Sequence, residues 1–369
     1  MSQKKLHIII SGGGTGGHIF PAVSIARELR RRDPETEILF VGAEGGMEMD
    51  LVPKQGFDIK AVWISGIHRQ ITLKNIIRNL SFPVKLVVSQ LQANKIRKAF
   101  QPEAVVGVGG YASGPMGRVA SRAGVPLVIC EQNAYPGLVN KWLAPKAEKI
   151  LLGNEAASRY FDKEKVVVTG NPIRKFELKD RNAAVEELGM DPTRPVVLSL
   201  GGSLGALRLN NAWRKGWEEL VESGIQLLWQ SGKRYYQTLS QEFPRHTSVK
   251  LMAFIDDMAT AYSAADLVVS RAGGSTISEL IDLSKPSILV PSPNVSEDHQ
   301  TKNARSLSDK GAALLLEDAV AEERLAKEAI SLLTSEDKLE AMKKKIAGIE
   351  KHDAAKEIVD QIFDVLKQQ

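Results

Sequence analysis

Residues 266–304 read DLVVSRAGGSTISELIDLSKPSILVPSPNVSEDHQTKNA, and the way apolar runs alternate there with glycine and polar turns decides the fold. The run 267–270 is a buried strand that breaks at Gly273 and Gly274 into a helix with Ser275 or Thr276 as its cap. Backbone N–H groups at such a helix start face the strand end and make an anion site. Glu279 is expected on the first turn, an acceptor-only carboxylate suited to a pair of hydroxyls such as those of a ribose. A second strand, 287–291, leads to Asp298, His299 and Gln300, where another helix opens among polar side chains. Two neighbouring strand ends thus offer groups for phosphate, diol and sugar ligands. An ordinary βαβ unit whose glycines only turn the chain reads the same way, so the other loops decide.

Composition bounds the answer. The 369 residues are 43% hydrophobic and 25% charged, enough for two domains with a core each. One cysteine, Cys130, allows neither an intrachain disulfide nor a cysteine zinc cluster and makes a reducing cytoplasm the default. The opening MSQKKLHIIISGGG reads as a strand rather than a signal peptide, and nowhere do about 18 apolar residues run together as a bilayer span requires. A net charge of +5 is mild, and no nucleic-acid module accompanies it.

The stretches 6–11, 37–42, 59–64, 104–108, 127–130, 149–152 and 166–169 are apolar strands separated by helical segments, a doubly wound α/β domain. The first strand runs into a glycine loop, Gly12 to Gly17, ending at His18, with a helix expected from near Pro21. This loop contains G-x-G-x-x-G, but the second strand ends in Val41, Gly42 and Ala43, with Glu44 displaced beyond it, so the acid of a dinucleotide site is missing. So much bare backbone beside one imidazole suits close approach to a bulky polar substrate. Gly109, Gly110, Tyr111 and Ser113 form a second cradle, and Glu131, Gln132 and Asn133 stand at a further strand end, so three polar loops are expected to converge. Residues 59–102 hold no acid, but Lys60, Arg69, Lys74, Arg78, Lys85, Lys95, Arg97 and Lys98 lie there among apolar residues, with Pro83 expected to break the segment. A basic apolar surface of this kind suits an anionic membrane leaflet; the alternative is a solvated face over core residues. Residues 170–174 read as a hinge, after which strand, glycine loop and helix repeat from 196, and Asp256 or Asp257 caps a helix.

Two glycine-looped α/β domains on a hinge resemble the GT-B glycosyltransferases. The motifs at 13–18, 109–115, 131–133, 170–174, 201–203, 254–258 and 298–304 resemble, in this order, those of glycosyltransferase family 28. Gly274, where alanine is commoner, and Ser284 with Lys285, where a glycine turn is commoner, depart from it. The resemblance implies two Rossmann-like doubly wound domains facing each other across a cleft. Residues 1–171 would be an acceptor and membrane-association domain, 172–350 a UDP-GlcNAc-binding domain, and 351–369 a helix packing back on the first. It implies inverting transfer of GlcNAc from UDP-GlcNAc to the 4-hydroxyl of MurNAc in undecaprenyl-pyrophosphoryl-MurNAc-pentapeptide (lipid I), giving lipid II and UDP in peptidoglycan synthesis. The protein would be peripheral on the cytoplasmic face of the inner membrane, with cell-wall synthesis and division proteins as partners.

The site residues implied for UDP-GlcNAc are Thr15, Gly16, Gly17, Asn133, Arg174, Ser203, Ile255, Gly273, Gly274, Ser275, Thr276, Glu279 and Gln300. Gly109, Gly110, Tyr111 and Ser113 belong to the acceptor half. His18 is the candidate general base, ahead of Glu131: it is the histidine on a glycine loop of that half, and an imidazole titrates near neutrality, at roughly pH 6.5. No cofactor is implied. With no D-x-D and no cysteine or histidine cluster, no metal is expected, and helix N-termini and loop N–H groups would meet the charge on departing UDP. A UDP-GlcNAc 2-epimerase is the alternative on the same fold, weakened by the basic apolar stretch and the two N-terminal glycine cradles. An NAD-dependent dehydrogenase is weakened by the missing acid, and a non-catalytic scaffold that binds UDP-GlcNAc is the third reading.

Overall fold

The computed structural model describes residues 5–66, 82–202, 204–243 and 246–368. Ser203, Arg69, Lys74 and Arg78 lie outside them. The chain divides into two units, Met1–Ile173 with His352–Gln369, and Arg174–Lys351.

The first unit is built on strands β1 (His7–Ser11), β2 (Glu37–Ala43), β3 (Asp58–Val62), β4 (Ala104–Gly107), β5 (Leu127–Glu131), β6 (Lys149–Leu152) and β7 (Val166–Val168). Runs such as Ile8-Ile9-Ile10 and Val105-Val106 are fully buried, as strands covered by helices on both faces must be. Among the described residues they form one parallel sheet in the order β3-β2-β1-β4-β5-β6-β7, with Ile9 opposite both Leu39 and Val105. The order reverses between β1 and β4, and at such a point the loops leaving the carboxyl ends diverge and open a crevice. The glycine loops after β1 and β4 are those two loops. The C-terminal helix Ala354–Lys367 buries Ile358, Val359, Ile362 and Val365 in the same core as Ile25 and Leu29 of the helix Gly16–Arg32. Arg32 clips it there, donating to Asp360 at 2.5 Å and to the Lys356 carbonyl at 2.8 Å.

The second unit repeats the plan with β8 (Val196–Leu200), β9 (Gln226–Gln230), β10 (Val249–Met252), β11 (Leu267–Ser270), β12 (Ser287–Leu289) and β13 (Leu314–Leu315). They pair in parallel in the order β10-β9-β8-β11-β12-β13 among the described residues. The reversal falls between β8 and β11, so the loop after β11 leaves the sheet at its switch point. Apolar clusters fill both faces, with Trp213 and Trp229 on one side and Tyr262 on the other.

Helix Gly274–Asp282 ends in a left-handed turn that ordinarily takes glycine. Ser284, at φ +51°, donates its N–H to the Ile281 carbonyl, and Lys285 donates to that of Leu280, closing the turn. A side chain in this conformation is strained, so Ser284→Gly should stabilise the second unit by about 0.5–1 kcal/mol. The urea midpoint of the buried Trp213 and Trp229 fluorescence checks this; a lower midpoint would mean that the serine side chain holds the turn.

Candidate active site

Each unit gathers its polar loops at the carboxyl edge of its sheet. In the second, helix Gly274–Asp282 starts directly beyond β11 with Gly273, not Ser275 or Thr276, as its N-cap. The pair Gly273-Gly274 lets the backbone turn into the helix two residues early, so Ser275 and Thr276 fall inside the first turn and no side chain caps it. The Ser275 hydroxyl oxygen is buried there without a hydrogen-bond partner among the described residues. A helix start that no side chain caps can hold an anion.

Glu279 stands one turn further along than expected, because the helix begins at Gly274. Its Oε2 accepts the Tyr262 hydroxyl at 2.8 Å. Burial pushes the carboxyl above its ordinary range, opposed by the Tyr262 hydrogen bond and by the charge of Arg174. Arg174, the first residue of this unit, lies 5.7 Å from the Phe176 ring, which meets Tyr262 edge-on at 5.3 Å. One carboxylate, held by a buried phenol and faced by an exposed arginine, is thus brought beside the helix start.

The neighbouring loops are fixed by side-chain amides. Gln230 at the end of β9 accepts the Ile255 N–H at 2.9 Å and donates to the Gly202 carbonyl at 3.2 Å. The N–H of Ile255 is therefore engaged within the protein. Gln300 likewise spends its Oε1 on the Ser292 N–H at 2.8 Å, which ties the loop after β12 to the helix His299–Ser308. Before that helix Glu297 and Asp298 both take left-handed backbone, at φ +58° and +51°, a strain of the kind held at ligand loops. Asp257 is the N-cap expected after Phe254, accepting the Thr260 N–H at 3.0 Å. Ser203 lies outside the described residues.

In the first unit the helix begins at Gly16, not near Pro21, with Thr15 as N-cap. Gly16 and Gly17 place no side chains against the turn, and Pro21 forfeits a single helical bond, to the Gly17 carbonyl. His18 therefore sits in the first turn. The loops after β1 and β4 are joined through the Gly13 N–H, which donates to the Gly109 carbonyl at 3.2 Å. A Cβ on Gly109 would stand 2.9 Å from the His18 ring, so only glycine leaves the imidazole its place. The Gly13 carbonyl lies 3.1 Å from His18 Nδ1 and the Thr15 hydroxyl 3.2 Å from it. A carbonyl can only accept, so Nδ1 carries the proton and Nε2 the basic lone pair.

Other implied residues divide. Tyr111 is half exposed, whereas the buried Ser113 hydroxyl donates to the Gly110 carbonyl at 2.8 Å and holds the cradle. Thr15 and Gly17 are exposed. Glu131 is buried, and its carboxylate accepts four hydrogen bonds. Oε1 takes the Asn133 N–H at 3.0 Å and its side-chain amide at 3.2 Å, and Oε2 takes the Gly137 N–H at 2.9 Å and the Asn140 amide at 2.8 Å. Lone pairs so engaged organise a loop and leave none to abstract a proton. Pro83 is the second described residue of the helix Phe82–Phe100, and the residues before Phe82, on which the expected break depends, lie outside the described ones.

Sequence reasoning missed Glu48, Tyr262, Gln230 and Asn140, which hold these loops from a distance. It also missed Arg271, which donates to the Val290 carbonyl at 3.0 Å and to Asp318 at 2.5 Å behind the β11 loop. Only Glu48 left a trace, as a carboxylate two residues after the pair Gly45-Gly46 that follows β2. A cavity of about 400 Å³ near Lys5, Arg30 and Glu37 opens at the opposite, amino edge of the first sheet, away from every loop described above.

Residues 8–152 match the glycosyltransferase family 28 N-terminal domain and residues 196–358 the family 28 C-terminal domain. A protein of Phocaeicola vulgatus, named as UDP-N-acetylglucosamine–N-acetylmuramyl-(pentapeptide) pyrophosphoryl-undecaprenol N-acetylglucosamine transferase, is 47% identical over 98% of this chain and 96% of its own. The crystal structure of Acinetobacter baumannii MurG aligns with a TM-score of 0.79 at 28% identity, covering 97% of this chain and 99% of that one. A putative UDP-N-acetylglucosamine 2-epimerase of Listeria monocytogenes aligns at 0.67 with 15% identity over 100% and 98%, a likeness of fold alone. With both domain models matched in order along the chain and the relatives spanned end to end, the protein belongs to glycosyltransferase family 28.

Proposed function

We propose that the chain transfers GlcNAc from UDP-GlcNAc to the 4-hydroxyl of the MurNAc of lipid I, giving lipid II and UDP in peptidoglycan synthesis. The observation that carries this reading is the seat in the second unit: the start of helix Gly274–Asp282, which no side chain caps and where the buried Ser275 hydroxyl has no partner among the described residues, with the Glu279 carboxylate in its second turn. That pairing suits a nucleoside diphosphate, phosphates on the N–H groups and ribose hydroxyls on the carboxylate. The donor is α-linked and the product β-linked, so one inverting displacement suffices. His18 Nε2 takes the proton from the acceptor hydroxyl as its oxygen attacks the anomeric carbon. The bond to UDP breaks, and the helix start, with Arg174, receives the charge that leaves. The first unit is then the acceptor half and the second the donor half.

Transfer of labelled GlcNAc from UDP-GlcNAc to a short-chain lipid I analogue, with chelator present, tests the proposal. Formation of ManNAc without transfer would make the protein a 2-epimerase, and binding of UDP-GlcNAc without turnover would make it a scaffold.

We place the enzyme on the cytoplasmic face of the cell membrane, peripheral and beside wall-synthesis and division proteins. Among the described residues no helix is long and apolar enough to cross a membrane. Helix Phe82–Phe100 buries Ser89 and Ala93 but leaves Val84, Val87 and Leu91 56%, 61% and 67% exposed, a stripe at helical spacing that the core does not use. Lys85 lies on the same helix, its ammonium 5.5 Å from the Trp63 ring. Val87→Asp with Leu91→Asp should weaken binding to phosphatidylglycerol vesicles by roughly 100-fold or more, since each side chain gives up at least about 1.5 kcal/mol of apolar burial. Transfer to a water-soluble acceptor should be spared; unchanged vesicle binding would make the stripe an ordinary surface.

A further inference from the structure

The buried carboxylate of Glu48 is used by nothing in the mechanism above. It is 1% exposed, and its Oε1 accepts the Ala43 N–H at 2.9 Å while Oε2 accepts the Gly14 N–H at 2.9 Å. A Cβ on Gly13, Gly42 or Gly46 would collide with its side chain, so a glycine within β2 and one in each of the loops after β1 and β2 make room for one carboxylate. The Gly14 N–H belongs to the same peptide group as the Gly13 carbonyl, and that carbonyl accepts Nδ1–H of His18 at 3.1 Å. Carboxylate, peptide group and imidazole stand in one hydrogen-bonded row. A negative charge on the N–H side of a peptide group polarises it and makes its oxygen a stronger acceptor. The oxygen in turn holds the imidazole in one tautomer and steadies the imidazolium that forms when Nε2 takes a proton.

We propose that Glu48 is a positioning residue for the transfer reaction, fixing the tautomer and orientation of His18 through the Gly13–Gly14 peptide group. The proposal rests on the reading of His18 as the base. It also accounts for why a charged side chain is buried under a glycine loop 34 residues away in sequence, where an apolar residue would fill the space without the cost of desolvation.

Two measurements test it. In the wild-type protein labelled with ¹⁵N-histidine, the His18 resonances should report the Nδ1–H tautomer; the Nε2–H tautomer would overturn the proposal without any variant having to fold. Glu48→Gln keeps the shape and removes the charge. It should lower kcat for GlcNAc transfer roughly tenfold, the weight of one hydrogen bond to a charged group, while KM for UDP-GlcNAc stays within about twofold. In a His18→Ala background the same substitution should change kcat by less than about twofold, because the group it acts through is gone. A loss as large in that background as in the wild type, or a loss carried by KM, would make Glu48 a structural residue only. If His18→Ala alone lowers kcat less than about tenfold, the base reading itself fails, an outcome distinct from an inert Glu48→Gln.

Discussion

Substitution of His18 by alanine should lower kcat by roughly 10² to 10⁴, the contribution of a positioned general base, and leave UDP affinity near that of the wild type. The expectation rests on where the ring is held. His18 enters the first turn of its helix because the helix starts at Gly16, and the Gly13 carbonyl at 3.1 Å fixes the proton on Nδ1. Gly109 lies against the other edge of the ring, so Gly109→Ala should displace the imidazole and reproduce part of the loss. Glu131 offers no substitute, since the four hydrogen bonds it accepts are spent on residues 133, 137 and 140. Glu131→Gln should therefore disturb that loop and weaken substrate binding rather than copy the His18 phenotype. Steady-state kinetics with separate kcat and KM for both substrates decides: a loss for His18→Ala below about tenfold, or one carried by KM alone, makes His18 a substrate-positioning group.

The fold was legible because its signals are local. Apolar runs of four to six residues ending in glycine mark strands of a parallel sheet, and β1, β4, β8 and β11 each stand where such a run stands in the sequence. The order β3-β2-β1-β4 is not local: the alternation of strands and helices implied a doubly wound domain but no order of its strands. Element starts were misread where two local rules compete. Pro21 signals a first helical residue, yet the helix runs back to Gly16, and Ser275 signals a cap, yet Gly273 takes that place. The candidate site was half legible for the same reason. His18, Glu279 and the glycines announce themselves by their loops. Tyr262 reaches Glu279 across 17 residues and Glu48 reaches Gly14 across 34; nothing at Tyr262 tells a buried polar partner from a surface one, and the glycine pair before Glu48 is a trace that does not name its partner. Ser113 and Glu131 show the converse: both stand in the right motifs, but their hydrogen bonds turn inward to hold the loops.

Glu279 provides the second test, and the structure changes the substitution that should be used. Alanine would leave the buried Tyr262 hydroxyl without its acceptor, at a cost of roughly 1–3 kcal/mol to folding that has nothing to do with substrate. Glu279→Gln keeps an oxygen for the phenol and removes the charge and one acceptor. Because burial raises the folded pKa of this carboxyl above its ordinary value, the folded protein binds the proton more tightly than the unfolded chain does. The ionised form then opposes folding at neutral pH, and the opposition fades as pH falls through the raised pKa. Neutralising the side chain should thus leave stability at pH 7 unchanged or slightly improved. Donor use should nevertheless fall by roughly 1.5 to 3 kcal/mol in kcat/KM, or about 10- to 150-fold, the weight of a hydrogen bond to a charged group. A 2′-deoxyribose donor separates the two roles: the wild type should discriminate against it strongly, and Glu279→Gln hardly at all. Equal discrimination by both proteins, or a loss of activity that tracks a loss of thermal stability, would leave Glu279 as the buried partner of Tyr262 and send the search for the ribose ligand to the neighbouring loops.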